Sequence, residues 1–381
     1  MTDKITKQKK RVELEFATYS TYQFSSGAYL FKPDLTRRNP VVFDVADPEE
    51  VVIVSGPVFS EISVVHKSVT TFKTSEPGSF IHTVRLYHTN DEMQSKAIRI
   101  ENNFDFGDQN NHKDTDLLMR IRTDLKTDNT FYTDQNGFQM QKRVKIDEIG
   151  LEGNYYPITT MTFMEDSDWR VNLIVDHAMG AASWQPGLLE VMVDRRSSFD
   201  DGRGMGEGIL DNLPTLHKYW LLMESKPAQR SDEVENLKLP SQLANTLSQY
   251  LNYPSSKYLA VSQKDSSLLD EKTLLISSPL PCDMHLFNLR TLSDKNEPSR
   301  PLTEALLILQ GISGDCKLNP SHNCQAVNSN SNLDWQLNGV KINRMTKTTL
   351  TGLEQQDDST LERLSDIQIK DLALQTVKLN F

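Results

Sequence analysis

Short segments in which apolar and polar residues alternate recur along almost the whole chain, and this period of two constrains the fold most. Successive side chains of a β-strand point to opposite faces, so the alternation is typical of strands with one buried face. Such segments in the first half are 12–18, 49–54, 59–66, 81–88, 117–125, 138–146 and 169–176. Helical periodicity is confined to 239–251, where we expect a short helix. The chain is predicted to be all-β, with a large antiparallel β-sandwich followed by a smaller β-sandwich domain.

Turn-forming residues separate the predicted strands. The segment 134–137 (DQNG) is a strong hairpin signal, because Asn and Gly adopt the left-handed backbone of tight turns readily. The segment 76–78 (EPG) predicts a second hairpin turn. These turns support antiparallel pairing between neighbouring strands.

The length and a change in composition predict two domains. A chain of 381 residues exceeds the size at which one core keeps growing. Residues 226–256 are polar and interrupted by prolines, which is typical of a linker or a long connecting loop. We therefore place the boundary near 255, between domains 1–255 and 256–381. The low-complexity segment 328–332 (NSNSN) predicts an exposed loop tip.

Charge and hydropathy exclude several classes of protein. A net charge of −11 argues against nucleic-acid binding, and the one basic segment, 4–11, is interpreted as a solvated approach to the first strand. No apolar run approaches the about 20 residues that span a bilayer, and no signal peptide or other targeting segment is recognisable. The sequence by itself predicts a cytosolic protein or a fragment.

Common catalytic and metal-binding motifs are absent from the sequence. It contains no HExxH, no G-x-S-x-G and no phosphate-binding glycine pattern. His82 and His88 share one predicted strand face but lack a third ligand, so we interpret them as a surface pair. The three cysteines, Cys282, Cys316 and Cys324, have no zinc-binding spacing, although Cys316 and Cys324 could form a disulfide in an oxidising compartment.

The segment 191–208 (VMVDRRSSFDDGRGMGEG) combines many charges with four closely spaced glycines. It allows two interpretations. In the first, the end of a strand leads into a solvated turn, in which Arg195 or Arg196 pairs with Asp200 or Asp201. In the second, the glycines let the backbone approach a polar ligand while arginine and carboxylate groups bind its hydroxyls.

This segment resembles the DRR-x3-DD-x-RG-x-G signature of glycoside hydrolase family 38, the class II α-mannosidases. Further segments resemble the non-catalytic half of the Golgi-type members and occur in the same order. They are 26–31 (SGAYLF), 84–88 (VRLYH), 119–143, 154–161 (NYYPITTM) and 280–291 (LPCDMHLFNLRT). Several motifs in one order are more specific than any single motif, and the resemblance covers most of the chain.

The resemblance implies a retaining, zinc-dependent α-mannosidase that hydrolyses terminal α-mannose residues of N-glycans. In the family, the zinc ion and both catalytic carboxylates belong to an N-terminal catalytic domain, and this sequence begins within the β region. Asp200 and Asp201 are adjacent, whereas a retaining glycosidase needs two carboxylates about 5 Å apart across the scissile bond. We therefore predict no catalytic residue, no zinc ligand and no activity for this chain alone.

The resemblance also implies a supporting role in substrate binding. In the family a tyrosine of the SGAY motif and an arginine of the DRR/RG motif reach the sugar. Tyr29 matches the first, and Arg203 and Arg196 are both candidates for the second. Guanidinium and phenol groups suit the vicinal hydroxyls of mannose. The supporting residues are predicted to be Asp201, which would orient the arginine, and Gly202 and Gly204, which would keep the loop narrow.

Three hypotheses follow for the function. The chain is the C-terminal part of a Golgi α-mannosidase, a stand-alone carbohydrate-binding β module, or a structural β-sandwich without a ligand. The first implies two partners, the N-terminal catalytic domain of the same enzyme and mannose-containing glycans, and Golgi localisation of the parent enzyme. A chain lacking its catalytic domain would also expose an apolar face and could associate as a homodimer.

Overall fold

The computed structural model describes residues 9–20, 26–34, 41–42, 50–66, 79–91, 93–106, 114–226, 237–256, 275–315, 318, 335–370 and 372–381. Within these ranges the chain consists of antiparallel strands with a single α-helix, which confirms the all-β prediction.

The described strands, in chain order, are β1 (Val12–Ser20), β2 (Val41–Val42), β3 (Glu50–Ser55), β4 (Phe59–His66), β5 (Ser79–Tyr87), β6 (Ala97–Asp105), β7 (Thr115–Thr123), β8 (Thr130–Gln135), β9 (Gln139–Val144), β10 (Tyr156–Ile158), β11 (Met161–Glu165), β12 (Trp169–Val175), β13 (Met179–Ala182), β14 (Leu188–Arg196), β15 (Thr215–Ser225), β16 (Leu237–Lys238), β17 (Met284–Ser293), β18 (Pro301–Gly311), β19 (Arg344–Thr348), β20 (Gln355–Leu361) and β21 (Leu374–Asn380). The helix α1 spans Gln242–Asn252, and single turns of 3-10 helix span Gln94–Lys96, Asp147–Ile149, Glu152–Asn154 and Leu364–Asp366.

The chain divides into two compact units. The first comprises Met1–Pro254 with Cys316–Asn319, and the second comprises Ser255–Asp315 with Pro320–Phe381. The predicted domain ranges differ from these units chiefly in the assignment of 316–319.

The first unit is built from two antiparallel sheets. The six-stranded sheet has the order β10-β13-β14-β7-β1-β2, and the ten-stranded sheet has the order β16-β9-β8-β11-β12-β15-β6-β5-β4-β3. Their inward side chains form one apolar core, with Met119 and Ile121 from β7 and Val171 and Leu173 from β12 among its members. The alternation recognised in the sequence therefore corresponds to the inner faces of a sandwich.

Helix α1 covers part of the outer face of the ten-stranded sheet. Its N-cap is Ser241, whose Oγ accepts the N–H of Ala244 at 3.0 Å. Leu243, Leu247 and Leu251 recur every four residues and pack with Trp220 of β15 in a second apolar cluster. The predicted helix is thus confirmed, but interpreting this region as a linker is wrong for α1, because its apolar face is part of the core of the first unit.

The hairpin predicted at 134–137 joins β8 to β9. Asn136 and Gly137 have φ angles of 53° and 71°, and Asp134 Oδ2 accepts the N–H of Gly137 at 2.9 Å. This confirms the turn predicted from the residue types. The second predicted turn, 76–78, and the predicted loop tip, 328–332, lie outside the described residues.

The second unit contains a five-stranded antiparallel sheet with the order β17-β18-β21-β19-β20. Leu307 and Leu309 of β18 pack with Val377 and Leu379 of β21, and Trp335 joins this core. Within the described ranges, no helix is long and apolar enough to cross a membrane.

The predicted disulfide between Cys316 and Cys324 falls on residues outside the described ones. Cys282 is disulfide-bonded. Because the chain has three cysteines, a bond to Cys282 uses one of the other two. The two predicted partners therefore cannot also be bonded to each other, and this pairing is corrected.

Candidate functional site

Two loops of the first unit carry the residues predicted to contact a sugar. The first loop, 26–31, contains Tyr29, which is 63% exposed. The second loop, 197–209, follows β14 and contains Asp201 and Arg203. Their meeting point is the candidate site.

The second loop begins just beyond an irregularity in β14. The pairing of β14 with β7 shifts register between Met192 and Asp194, and a β-bulge of this kind redirects the side chains that follow. Ser197 and Ile209 then exchange two backbone hydrogen bonds, of 3.0 and 2.7 Å, which close the base of the loop. A Cβ atom on Gly208 would lie 2.1 Å from the carbonyl oxygen of Ser197, so a glycine is required at this crossing.

One carboxylate joins the two loops. Asp201 Oδ2 accepts the backbone N–H groups of Tyr29 at 2.7 Å and Leu30 at 3.2 Å. Its Oδ1 accepts the backbone N–H of Arg203 at 3.0 Å. Asp201 was predicted to orient an arginine side chain. In the structure its hydrogen bonds hold the backbone of both candidate sugar-binding residues instead.

These hydrogen bonds also affect the acidity of Asp201. Desolvation raises the pKa of the carboxyl group, but the N–H groups of Tyr29, Arg203 and Leu30 stabilise the anion and lower the pKa below its ordinary value. The carboxylate is therefore ionised at neutral and weakly acidic pH, which keeps the connection between the loops intact there.

Glycines serve two different purposes at this junction. A Cβ atom on Gly27 would lie 2.7 Å from the backbone nitrogen of Asp201, so the close approach of the loops requires glycine. Gly202 and Gly204 have φ angles of +69° and +108°, but their Cβ positions face open space. These two residues are required for the left-handed backbone rather than for close packing.

Arg195 fastens the first loop to the sheet beneath it. Its Nε lies 2.6 Å from Oδ1 of Asp116, the residue directly opposite on β7, and its guanidinium donates to the carbonyl oxygen of Leu30 at 3.1 Å. Burial raises the pKa of Asp116, and the charge of Arg195 opposes this effect. The predicted pairing of this arginine with Asp200 or Asp201 is therefore wrong, because its partner comes from a neighbouring strand.

The two arginine candidates differ in exposure. Arg196 is the last residue of β14 and is only 3% exposed, opposite Thr115 of β7. Arg203 is exposed in the second loop. Of the two, Arg203 is the one that offers its guanidinium to a ligand in solvent.

Aromatic residues support the first loop from below. The ring of Phe31 lies 5.9 Å from that of Tyr19 and 4.8 Å from that of Tyr155, measured between centroids. The guanidinium of Arg195 lies 5.7 Å from the Phe31 centroid. The loop that presents Tyr29 thus rests on a packed aromatic base.

That base is anchored on Glu190, which is fully buried. Its carboxylate accepts hydrogen bonds from Arg120 Nε at 2.5 Å, Trp184 Nε1 at 2.9 Å and Tyr19 Oη at 3.0 Å, and also from Tyr155 Oη. Burial, followed by the charge of Glu190, raises the pKa of the Tyr19 hydroxyl, so this phenol remains a donor at neutral pH. The buried charges are therefore compensated by several donors around one carboxylate.

A second polar cluster in the first unit contains Asp176, His177 and His217. Asp176 Oδ1 lies 2.6 Å from His177 Nδ1, and His177 Nε2 lies 3.2 Å from His217 Nδ1. Burial and the neighbouring His177 lower the pKa of His217 to about 4. His217 is therefore neutral at pH 7.

The histidines singled out in the sequence are both hydrogen-bonded within the protein. His82 Nδ1 lies 2.7 Å from Asn102 Oδ1, and His88 Nε2 lies 2.7 Å from Ser60 Oγ. In the part of the chain that the structure describes, no group of three or more His, Cys, Asp and Glu side chains could hold a metal ion.

Comparison with known proteins places the chain in a family. Residues 1–203 match the family model described as "Glycosyl hydrolases family 38 C-terminal domain", which is more than half of the 381 residues. The chain belongs to this family. The matched range of this family 38 domain includes the first loop and extends through the second as far as Arg203.

Individual relatives agree with the family assignment. "Alpha-mannosidase 2" of Spodoptera frugiperda is 34% identical over 399 residues, which cover 97% of this chain and 34% of the relative. "Alpha-mannosidase 2" of Homo sapiens is 29% identical over 374 residues, covering 97% of this chain and 31% of the relative. The chain thus spans about a third of the length of these relatives. The family resemblance inferred from the sequence motifs is confirmed.

A solved structure shares the fold. A protein of glycosyl hydrolase family 38 from Enterococcus faecalis superposes with a TM-score of 0.59 at 13% identity, covering 99% of this chain and 41% of the other.

Several residues that build the site were not predicted from the sequence. Asp116 and Glu190 each lie in a strand segment with many apolar residues. A single carboxylate in such a segment is only a weak indication of a buried ion pair. Gly27 belongs to the recognised SGAY motif, but its close approach to Asp201 joins positions that are far apart along the chain.

Proposed function

We propose that this chain is the C-terminal β region of a retaining, zinc-dependent α-mannosidase that removes terminal α-mannose residues from N-glycans. Family membership and relatives called "Alpha-mannosidase 2" support the proposal. The observation that carries the site assignment is the double role of Asp201, whose two oxygens hold the backbone of Tyr29 and of Arg203. This arrangement places an exposed phenol and an exposed guanidinium on two joined loops.

The proposed task of these two side chains is to bind and orient the sugar. A guanidinium donates through several N–H groups in a plane, which suits neighbouring hydroxyl oxygens, and a phenol both donates and accepts. Positioning of a substrate contributes to catalysis even when the positioning groups take no part in bond breaking. Tyr29 and Arg203 are therefore proposed as substrate-binding residues.

Zinc and the catalytic carboxylates are assigned to the N-terminal catalytic domain of the same enzyme, which is the proposed partner of this chain. The described residues offer no set of side chains that fits a zinc ion. When bound in the partner domain, zinc would polarise and position oxygen atoms of the substrate. Localisation in the Golgi lumen is proposed for the parent enzyme on the basis of the motifs that resemble those of the Golgi-type members.

The 381-residue chain on its own should show no α-mannosidase turnover. The reason is that retaining hydrolysis needs two carboxylates about 5 Å apart on either side of the glycosidic bond, and both are proposed to lie in the N-terminal catalytic domain. An aryl α-mannoside assay of this chain, beside the parent enzyme extended at the N-terminus, tests this. Chelator-sensitive turnover in the chain alone would contradict it, whereas glycan binding without turnover would favour a carbohydrate-binding module.

Replacing Arg203 with lysine in the parent enzyme should lower kcat/KM roughly tenfold to a hundredfold. The substitution keeps the charge but loses the planar set of donors. A charged hydrogen bond to a neutral hydroxyl contributes about 1.5–3 kcal/mol, which corresponds to this change in rate. Steady-state kinetics with an aryl α-mannoside measures the effect.

Arg196→Lys is the matched control. Because Arg196 is buried at the end of β14, its substitution should lower thermal stability more than it changes kcat/KM. The opposite outcome, a silent Arg203→Lys and an impaired but folded Arg196→Lys, would assign the sugar contact to Arg196. If neither variant changed the kinetics, the loop would be a solvated turn and the substrate-binding role would be refuted.

A further inference from the structure

Arg195, the last residue but one of β14, lies between the six-stranded sheet and the first loop. Its Nε donates to Asp116 Oδ1 at 2.6 Å, and its guanidinium donates to the carbonyl oxygen of Leu30 at 3.1 Å. The side chain of Arg195 is only 16% exposed. A guanidinium held at two points has one orientation, because its donors lie in one rigid plane. Arg195 therefore links the position of the first loop to that of β7.

The carbonyl oxygen of Leu30 accepts hydrogen bonds from two further donors. They are the backbone N–H of Gly27 at 3.1 Å and Oγ of Ser26 at 3.2 Å. Ser26 is fully buried, and its Oγ also accepts the N–H of Lys32 at 3.3 Å. These neutral donors belong to the same stretch of chain as Leu30, so they close the first loop without fixing it to the sheet. Within the described residues, Arg195 is the donor that joins this carbonyl group to the sheet.

The peptide groups on both sides of Tyr29 are also held. The N–H groups of Tyr29 and Leu30 both donate to Asp201 Oδ2, at 2.7 and 3.2 Å. The following carbonyl group, that of Leu30, is held by Arg195. Because peptide groups are planar, fixing successive ones fixes the φ and ψ angles between them and the direction of the Cα–Cβ bond. Asp201 and Arg195 together set the direction in which the side chain of Tyr29 leaves the loop.

The ion pair of Arg195 with Asp116 is poorly explained by stability alone. Asp116 is 1% exposed, and within the described part of the chain its Oδ2 has no hydrogen-bond partner. A buried ion pair that leaves one oxygen unsatisfied gains little stability over apolar residues of similar volume. What the pair does supply is a guanidinium in a fixed place. Apolar side chains could not donate to the carbonyl group of Leu30.

The same end of β7 also holds the second loop. Asp114, directly before β7, accepts hydrogen bonds from the N–H and the hydroxyl group of Ser198, the latter at 3.0 Å. Ser198 follows Ser197, whose pairing with Ile209 closes the base of the second loop. Asp114 and Asp116 are two residues apart, so both loops are fastened to one short segment of the sheet. Binding groups are placed more accurately by strands than by loops alone.

We propose that Arg195 is a positioning residue for substrate binding. Held in place by Asp116, it fixes the first loop so that the phenol of Tyr29 meets the hydroxyl groups of the sugar. This inference rests on the proposed substrate-binding role of Tyr29. Arg195 acts through the loop rather than on the sugar, because its guanidinium already donates to Asp116 and Leu30. A displacement of the phenol by about 1 Å is enough to lose a hydrogen bond to the sugar.

A double-mutant cycle in the parent enzyme, which includes the N-terminal catalytic domain, tests the proposal. Tyr29→Phe removes the phenol hydroxyl and should lower kcat/KM roughly tenfold. Arg195→Lys keeps a positive charge beside Asp116 but loses the planar donors, so it should lower kcat/KM by up to roughly tenfold. Because Arg195 acts through Tyr29, the same substitution should lower kcat/KM by less than about threefold in the Tyr29→Phe background.

Two further variants complete the cycle. Asp116→Asn keeps the shape of the side chain but removes the charge that holds Arg195, and it should show the same dependence on Tyr29. Arg122→Lys is the matched control, because Arg122 lies near the other end of β7 and pairs with Glu15 at 3.0 Å. It should leave kcat/KM unchanged in both backgrounds.

Hydrogen exchange of the full 381-residue chain gives a readout that does not depend on activity. Peptides covering residues 26–32 should exchange roughly tenfold faster in Arg195→Lys than in the wild type, because the loop loses one of its hydrogen bonds. Peptides from the centres of β7 and β14 should keep their wild-type rates, which shows that the sandwich remains folded. Unchanged exchange in residues 26–32 would overturn the positioning role.

The kinetic outcomes separate this inference from the proposed function. A loss in Arg195→Lys that shrinks in the Tyr29→Phe background supports the positioning role. An equal loss in both backgrounds, or a silent Arg195→Lys beside an impaired Tyr29→Phe, overturns it and leaves the sugar-binding role of Tyr29 standing. A silent Tyr29→Phe refutes that sugar-binding role, and the positioning role of Arg195 with it.

Discussion

Replacing Glu190 with glutamine should lower the free energy of unfolding of the first unit by about 3–5 kcal/mol. Removing one partner of a buried ion pair leaves the other charge uncompensated, and the cost is of this order. Arg120, whose side chain is 7% exposed, would keep its charge without the carboxylate it bonds at 2.5 Å. In the wild-type protein the hydroxyls of Tyr19 and Tyr155 donate hydrogen bonds to Glu190. The amide group of a glutamine would direct N–H donors toward these hydroxyls as well.

Urea unfolding followed by tryptophan fluorescence measures this effect. The first unit contains Trp169, Trp184 and Trp220, three of the four tryptophans of the chain. Glu15→Gln is the control, because Glu15 pairs with Arg122 at 3.0 Å on a partly exposed surface, where such pairs contribute at most about 1 kcal/mol. Equal losses in the two variants would show that Glu190 is not the anchor of the aromatic base.

The first unit should lose stability as the pH falls from 6.5 to 4, by up to about 3 kcal/mol from His217 alone. Burial lowers the pKa of His217 from 6.5 to about 4, so the unfolded state binds a proton in this range that the folded state does not. The stabilisation is complete above pH 6.5 and is lost as the pH falls toward 4. A tenfold difference in proton affinity corresponds to about 1.4 kcal/mol.

The surroundings of His217 determine the size of this effect. The neighbouring His177 lowers the pKa of His217 further, whereas the carboxylate of Asp176 raises it. Urea unfolding at several pH values tests the expectation, and His217→Gln should flatten the profile. His82 lies in the same unit and its pKa is also lowered by burial, so it should leave a residual slope. An unchanged profile in His217→Gln would contradict the assignment, and His88→Gln, at a histidine bonded to Ser60, is the control.

The sequence by itself determined the strand content, the turn at 134–137, the helix near 239–251 and the family. These features depend on local properties. The alternation of apolar and polar residues indicates which face of a strand is buried. Asn-Gly turns depend on the backbone preferences of the two residues themselves. The order of several motifs identified the family without any knowledge of their contacts.

The tertiary structure decided which of those residues act together. Arg195 bonds Asp116, 79 residues away, and Asp201 bonds the backbone of Tyr29, 172 residues away. Glu190 draws its donors from β1, β7 and the segments around Tyr155 and Trp184. Such partners depend on which strands become neighbours in the sheet and on their register. Local sequence patterns do not encode this information, because contacts between distant segments form only when the whole sandwich packs.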